Sequence, residues 1–415
     1  MNKSDSFITI KKNKIIQMKK IASLLMSCIA LSFIGNQAQA QDDLNWLKDA
    51  KHRAVHQLKK AADTYIPGFS PRSINHDGSV RLAHQEDWTS GFFPGSLWYG
   101  YEISGDKALA SSARKFTLAM DSLQDFTHTH DLGFMIYCSF GNGYRITRDK
   151  AFLPTLKKGS DNLYKRYNKT VGAIRSWDFG HWEFPVIIDN MMNLDFLFWA
   201  SKTFNKPEYA DASVQHSLTT LKNQYRPDNS SYHVISYDTL SGRAIQKETH
   251  QALTHESAWA RGQAWGLYGY TMAYKETNNP VFLKHAIDIA KYIMEHPNVD
   301  EDKIPYWDYD IHNGGERAPK DASAAAVIAA GLIDLAQFTE NNAYFEYAED
   351  ILQSLSSPEY LAGEDTNGYF ILKHSVGAFL YNSEIDTPLN YADYYYLEAL
   401  VRYAKAKNID LKTLN

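Results

Sequence analysis

Two kinds of helical pattern alternate along the chain. Segments near 43–64, 106–122, 150–168, 207–225, 281–297 and 342–357 carry apolar residues at three- and four-residue spacing, with Lys, Asp and Glu between them. In Phe282-Leu283-Lys284-His285-Ala286-Ile287-Asp288-Ile289-Ala290 one face is apolar and the other polar, as on a surface helix. Between these lie 92–102, 132–140, 191–201, 258–274, 322–335 and 392–403, apolar or small on nearly every side. A helix apolar all round is a buried helix. Each buried segment is introduced by a polar or aromatic cluster, marked by Trp88, Asp131, Asp189, Trp259, Asp321 and Tyr391 at separations of 43, 58, 70, 62 and 70 residues. Six loosely periodic outer–inner pairs without alternating strands predict an all-α fold, an (α/α)6 barrel of six inner and six outer helices. No linker rich in Pro, Gly or Ser divides 41–415, so a single domain is expected there. A short β excursion is expected near 231–246, where Tyr232-His233-Val234-Ile235-Ser236-Tyr237-Asp238 favours a strand and Ser241-Gly242 a turn. Residues 408–415 read as a frayed tail.

The geometry of such a barrel has a functional consequence. If the inner helices all run the same way, their N-terminal clusters gather at one mouth. Helix N-termini there present unsatisfied N–H groups and positive dipole ends, which suit a carboxylate-bearing ligand.

Composition narrows the partner. The 415 residues are 44% hydrophobic and 22% charged, which excludes a disordered or collagenous chain. Trp 9, Tyr 27 and Phe 20 make 13% aromatic residues, many of them beside Gly, Asp and His, a setting that suits carbohydrate rings. The first 40 residues hold six Lys and one Asp, so their removal takes the formal net charge from −5 to −10. An acidic field disfavours nucleic acid and long polyanions as partners.

From Met18 the sequence has a basic start, an apolar run over 21–35 and the small-x-small triplet Ala38-Gln39-Ala40, the pattern of an export signal cleaved after Ala40. Residues 1–17 read as translated upstream sequence. A rival reading takes Leu25-Met26-Ser27-Cys28 as a lipoprotein box, but the apolar run continues past the Cys. No other apolar run is expected to span a bilayer. The mature chain is expected to be soluble, exported and periplasmic, and its single Cys138 leaves no internal disulfide.

Candidate chemistry sits at the starts of the buried segments. Asp131 follows His128-Thr129-His130, and Asp189 lies between Ile188 and Asn190-Met191-Met192. Either could be a helix N-cap, whose oxygen accepts the orphan N–H bonds of a first turn. Two carboxylates on adjacent inner helices at one rim are also what general acid–base work on a sugar requires. His128-x-His130-Asp131 looks superficially like a metal site, but it lacks a metal-binding framework, and no metal or other cofactor is expected. Gly141-Asn142-Gly143 reads as a turn and Cys138 as a small buried residue. Arg261, at the start of an apolar segment, needs a charge partner; Glu256 and Asp321 are internal candidates, and the carboxylate of an acidic sugar is the functional one. Trp88, Trp259 and Trp265 suit either a core or a sugar face.

Five strings in order carry a family resemblance: Asp87-Trp88-Thr89-Ser90-Gly91-Phe92-Phe93-Pro94-Gly95, His130-Asp131-Leu132-Gly133-Phe134, Ile188-Asp189-Asn190-Met191-Met192-Asn193-Leu194, Ser257-Ala258-Trp259-Ala260-Arg261-Gly262-Gln263-Ala264-Trp265 and Tyr391-Ala392-Asp393-Tyr394-Tyr395. Together, over roughly 46–406, they resemble glycoside hydrolase family 88, the unsaturated glucuronyl hydrolases. The resemblance implies an (α/α)6 barrel that removes a Δ4,5-unsaturated uronic acid from the non-reducing end of lyase-generated oligosaccharides by hydrating C4=C5. On matching positions it implies Asp189 as principal acid/base and Asp131 as second carboxylate. It also implies that His233, Gln251, Trp259 and Arg261 hold the uronate, that Trp88 and Trp265 line the pocket and that His130 is a neighbour. Ala252-Leu253 departs from the Gly that often follows the family's His-Gln pair, which concerns local loop shape.

Other readings exist on the same fold. The unsaturated rhamnogalacturonyl hydrolases of family 105 typically place a second acid after the catalytic Asp, where this chain has Asn190. An ordinary inverting glycosidase or a sugar epimerase is a second class; the epimerase would need catalytic His residues facing the pocket, for which His130, His233 and His250 are the candidates. A non-catalytic sugar binder would not need two rim carboxylates. The polysaccharide of origin, sulfate tolerance and oligomeric state are not readable, although Lys373-His374-Ser375 and Tyr381-Asn382-Ser383 are candidate sulfate contacts.

Overall fold

The structure, a computed structural model, describes residues 44–311 and 318–414. The chain divides into two compact units between Asp49 and Ala50, and the barrel belongs to the second. The expected export signal over 1–40 lies outside the described residues.

Twelve α-helices and one π-helix are present among the described residues. They are α1 (Asn45–Thr64), α2 (Phe92–Ser104), α3 (Lys107–Leu118), α4 (Asn142–Thr147), α5 (Leu153–Tyr164), α6 (Asn190–Phe204), α7 (Pro207–Gln224), α8 (Ala260–Thr277), α9 (Pro280–Met294), α10 (Ala322–Thr339), α11 (Asn342–Leu355) and α12 (Asn390–Ala406). The π-helix Gly133–Gly141 runs directly into α4, and the two form one inner rod. This rod and α2, α6, α8, α10 and α12 each pack on the next, and α12 returns to α2 to close the ring. The amphipathic α3, α5, α7, α9 and α11 follow their inner partners, with the part of α1 beyond Ala50 belonging to the same compact unit.

Short corners set the direction of four of the inner rods. α2, α4, α8 and α10 each end in a left-handed residue, Gly105 (φ 73°), Arg148 (φ 60°), Asn278 (φ 55°) and Glu340 (φ 52°). The next residue, Asp106, Asp149, Asn279 or Asn341, then accepts an N–H of the following turn with its side chain. A left-handed stop followed at once by a capping acid or amide reverses the chain in two residues. The return connections from outer to inner helices are long, so loops, strands and inner-helix N-termini collect at the opposite end.

Among the described residues, those long connections hold all the β strands. β1 (Phe69–Ile74) pairs antiparallel with β2 (Val80–His84), and β3 (Tyr167–Asn168) with β4 (Ala173–Ile174). β5 (Pro185–Ile187), β6 (Val234–Tyr237) and β7 (Ala244–Glu248) form a three-stranded antiparallel sheet with β6 central. β8 (Ser375–Ala378) and β9 (Ser383–Thr387) form a hairpin. The strand expected near 231–246 is therefore present, and three further two-stranded units accompany it.

Three expectations need correction. Gly141-Asn142-Gly143 is helical rather than a turn: the Asn142 amide donates to Cys138 O and to Tyr394 Oη, and Gly143 lies so close to Trp98 and Phe152 that a Cβ there would sit 2.9–3.1 Å from their rings. Close packing, not chain reversal, calls for the small residue. The tail through Leu414 turns back on the barrel, with Leu411 buried and Lys51 donating to Leu414 O at 2.7 Å, so it is held rather than frayed. α10 is apolar and long enough to cross a membrane by composition, but it lies in the inner ring and is largely buried, which accounts for its Ala-rich surface. Cys138 is buried as expected, and burial pushes its thiol pKa up.

Candidate active site

The sheet β5–β6–β7 and the starts of the inner helices build the site. Asp189 sits between β5 and α6, at the position expected of a cap, but its backbone is already helical (φ −55°, ψ −26°) and its side chain makes no capping bond. Asp189 is 7% exposed, and its Oδ2 has no hydrogen-bond partner among the described residues. Burial pushes its pKa up to about 7, with Arg261 opposing the rise and Asp131 adding to it. A carboxyl that caps nothing and holds its proton near neutrality can give that proton away.

Asp131 precedes the π-helix, and its side chain does not cap it either. Thr129 Oγ1 donates to Asp131 Oδ2 at 2.7 Å, and His130 Nε2 lies 3.3 Å from Oδ1. The π-helix is fixed from the neighbouring inner helix, because Asn193 Oδ1 of α6 accepts the Phe134 N–H at 3.0 Å. The two acid-bearing helices are thereby locked together beside the site. A π-helix is rare and is found frequently at functional sites.

His233, just ahead of β6, is buried and faces Asp189, with Nε2 3.7 Å from Oδ2. Its Nδ1 accepts the backbone N–H groups of His250 (2.9 Å) and Gln251 (3.1 Å). A nitrogen that accepts two N–H bonds carries no proton, so the ring proton is on Nε2 and points towards Asp189. Burial, reinforced by His250 and Arg261, holds the His233 pKa well below its ordinary value, and the ring stays neutral.

Arg261, in the first turn of α8, is almost fully buried and paired with Asp321 at 2.9 Å. It also donates to Val376 O and, at 2.6 Å, to Gly377 O of the β8–β9 hairpin. Of the two internal partners considered, the structure selects Asp321; Glu256 lies instead 3.5 Å from Arg226. Arg261 Nε keeps no partner among the described residues, and its guanidinium lies 4.4 Å from the Trp259 ring centroid. Gln251 reaches the same hairpin, donating to Gly377 O at 3.2 Å.

Aromatic rings make the floor. Trp88 packs on Phe92, Phe134 and Tyr391, and Trp265 on Phe134 and Tyr395. His233 packs on Trp259 at a centroid separation of 4.9 Å. The structure thus brings Asp131, Asp189, His130, His233, Gln251, Trp259, Arg261, Trp265 and Trp88 to one end of the barrel. Several of the buried polar atoms without a well-aligned hydrogen bond lie here: both His130 nitrogens, Asp189 Oδ2, His233 Nε2, Arg261 Nε and Trp265 Nε1. Donors and acceptors left open side by side at one end of the barrel can be satisfied by a polar ligand.

Two residues here were not singled out as site residues. Trp177 packs on His233 and His250, and its buried Nε1 lacks a partner among the described residues; so does the Tyr391 hydroxyl. The only sequence signal for Trp177 is an aromatic residue set between Arg175 and Asp178 ahead of the Asp189 string. Among the described residues no three of His, Cys, Asp or Glu converge on a metal position, and exposed His128 has its Nδ1 3.9 Å from Asp178.

Comparisons with known proteins identify the family. The model of Glycosyl Hydrolase Family 88 matches residues 59–405. An unsaturated glucuronyl hydrolase of Formosa agariphila is 48% identical over 395 residues, 93% of this chain and 98% of that protein. An unsaturated chondroitin disaccharide hydrolase of Streptococcus agalactiae is 30% identical, over 86% of this chain and 92% of its own length. A crystal structure of an unsaturated glucuronyl hydrolase specific for heparin shares 65% identity with a TM-score of 0.88, covering 89% of this chain and all of that one. With its closed helical ring and its match over most of its length, the chain belongs to Glycosyl Hydrolase Family 88 and is an enzyme of the unsaturated glucuronyl hydrolase kind.

Proposed function

We propose that this enzyme releases a Δ4,5-unsaturated uronic acid from the non-reducing end of glycosaminoglycan oligosaccharides by adding water across C4=C5, with Asp189 as the acid. The observation that carries the reading is the Asp189 carboxyl: buried, uncapped, with Oδ2 unpartnered and its pKa raised to about 7. Protonated Asp189 gives its proton to C4, and a water whose proton returns to the same carboxylate adds its oxygen at C5. The product is a hemiketal at C5. It opens to a ketone, and the hemiacetal left at C1 then expels the second sugar. Because the glycosidic bond falls after the enzymatic step, carboxylate separation does not decide a retaining or inverting outcome here.

Asp131 keeps the proton affinity of Asp189 high by repulsion and orients the donor. His233 Nε2–H and Arg261 Nε–H are buried donors without partners, and with Gln251 they are assigned to the uronate and its carboxylate. Trp259, Trp88 and Trp265 line the pocket, and His130 supports Asp131. Likeness to a heparin-specific hydrolase at 65% identity, against 30% to a chondroitin disaccharide hydrolase, favours heparin-derived disaccharides as substrates. The basic start, apolar run and Ala38-Gln39-Ala40 triplet support export to the periplasm.

The test follows ultraviolet absorbance of the conjugated C4=C5 bond in unsaturated heparin and chondroitin disaccharides, sulfated and unsulfated. Absorbance falls with the native enzyme, fastest on heparin disaccharides, and persists with Asp189→Asn. Turnover of saturated glycosides with no effect on the double bond would overturn the proposal.

A further inference from the structure

Arg72 lies at a break in the β1–β2 ladder. Pro71 pairs with Leu82 and Ser73 with Arg81, so Arg72 is the extra residue of a β-bulge. A bulge re-aims a side chain out of the regular alternation and is over-represented next to active sites. Here it sends the guanidinium to two carboxylates from distant parts of the chain. Nη1 donates to Asp87 Oδ2 at 2.6 Å, while Nε and Nη2 donate to the two oxygens of Glu384 at 2.6 and 3.0 Å. The fork onto Glu384 is bidentate, a geometry that lysine cannot reproduce. Only 13% of the Arg72 side chain and 4% of the Glu384 side chain is exposed, so solvent screens the pair little.

Each carboxylate governs one side of the site. Asp87 Oδ1 accepts the Thr89 N–H at 2.9 Å and the Thr89 hydroxyl at 2.7 Å, closing the turn that presents Trp88. Glu384 in β9 has a left-handed backbone (φ 56°), uncommon for a residue other than glycine. Its side chain lies across Gly377 of β8, where a Cβ would sit 2.3 Å from Glu384 Oε2. Gly377 O is the acceptor shared by Arg261 (2.6 Å) and Gln251 (3.2 Å). A strained backbone persists only where its surroundings over-determine it. For Glu384 those surroundings are Arg72, Ser73 and Arg81, all donating to its carboxylate.

We propose that Arg72 is a positioning residue for the uronate. Through Asp87 it braces Trp88, and through Glu384 it braces Gly377, whose carbonyl anchors Arg261 and Gln251. The proposal rests on the function assigned above, which gives Arg261 and Gln251 to the uronate and its carboxylate. Asp131 and His233, which flank Asp189, are held by other contacts. Loss of the brace therefore falls on recognition of the carboxylate and not on proton transfer.

The test compares an unsaturated heparin disaccharide with the methyl ester of its uronate, which keeps the C4=C5 bond and loses the carboxylate charge. Native enzyme is expected to prefer the free acid. Arg72→Lys and Glu384→Gln are expected to raise KM for the acid about tenfold, with kcat on the acid and KM on the ester each within about twofold. Glu384→Gln keeps the size of the side chain and serves where Arg72→Lys does not fold. Arg81→Ala, which touches Glu384 from the surface without reaching Asp87, is expected to leave both substrates within about twofold. Equal losses on acid and ester would reduce the brace to a general support of the fold and overturn the proposal, as would no loss on either. A loss in Arg81→Ala matching that of Arg72→Lys would overturn the bridging role as well. A wild-type enzyme that consumes neither double bond, or both equally well, would instead sink the reading of the site on which the proposal rests.

Discussion

Asp189 and Asp393 are both buried aspartates next to the starts of inner helices, and burial raises the pKa of each to about 7. Their hydrogen bonding separates them. Asp393 in α12 accepts the backbone N–H groups of Ile371 (2.9 Å) and Leu372 (2.8 Å), one on each carboxylate oxygen, and so pins the segment leading into β8. Asp189 leaves Oδ2 bare, opposite a neutral histidine whose proton points at it. A raised pKa therefore does not by itself identify the reactive group. A raised pKa on a carboxyl that keeps one oxygen without a well-aligned hydrogen bond, at the mouth of the barrel, does.

Mutation separates the two aspartates. Asp189→Asn is expected to lower kcat on the order of 10³-fold while the circular dichroism spectrum and unfolding remain native-like. Asp131→Asn should cost activity on the order of 10²-fold. It also removes a negative neighbour that raises the Asp189 pKa, so the alkaline limb of the kcat/KM profile should move to lower pH. A limb that stays in place would dissociate Asp131 from the proton affinity of Asp189. Asp393→Asn should do the reverse of Asp189→Asn. Its amide would point a donor at a buried N–H donor, lowering stability by about 1–3 kcal/mol in urea melts while purified protein keeps near-native kcat/KM.

The smallest effect is a pH dependence of stability. Below about pH 4 the Asp189 carboxyl is protonated in the folded and unfolded chains alike. Between pH 4 and 7 the unfolded chain has released that proton and the folded chain still holds it, so this group's contribution falls as pH rises and levels off above 7. Asp189→Asn should therefore be more stable than the wild type at pH 8, on the order of 1–2 kcal/mol, with the gap closing by pH 4. Thermal melts across that range would show it.

Much of this architecture is legible in the sequence because burial is written into the helices. α10 has an apolar or small residue at nearly every position and lies in the inner ring, whereas α9 alternates its faces and lies outside. The π-form of Gly133–Gly141 is not legible, because its apolar run would suit an α-helix equally and a tertiary bond from Asn193 holds its first turn. The β8–β9 hairpin is hidden for a similar reason: Ser375-Val376-Gly377-Ala378 shows no strand alternation, and Arg261 holds it by its carbonyls. Asp189 stands out in the sequence through its apolar neighbours, but whether it caps its helix is decided only by backbone geometry. Arg261 illustrates the same limit, since Glu256 and Asp321 were equivalent partners until the fold placed Asp321 at 2.9 Å.

The most direct test of the account is a titration of the Asp189 carboxyl in the intact enzyme, followed as the pH-dependent carboxyl band in infrared difference spectra that Asp189→Asn abolishes. The midpoint is expected near pH 7, moving lower in Asp131→Asn. A midpoint near pH 4, the range of an exposed aspartate, would leave no protonated acid at neutral pH and would contradict it.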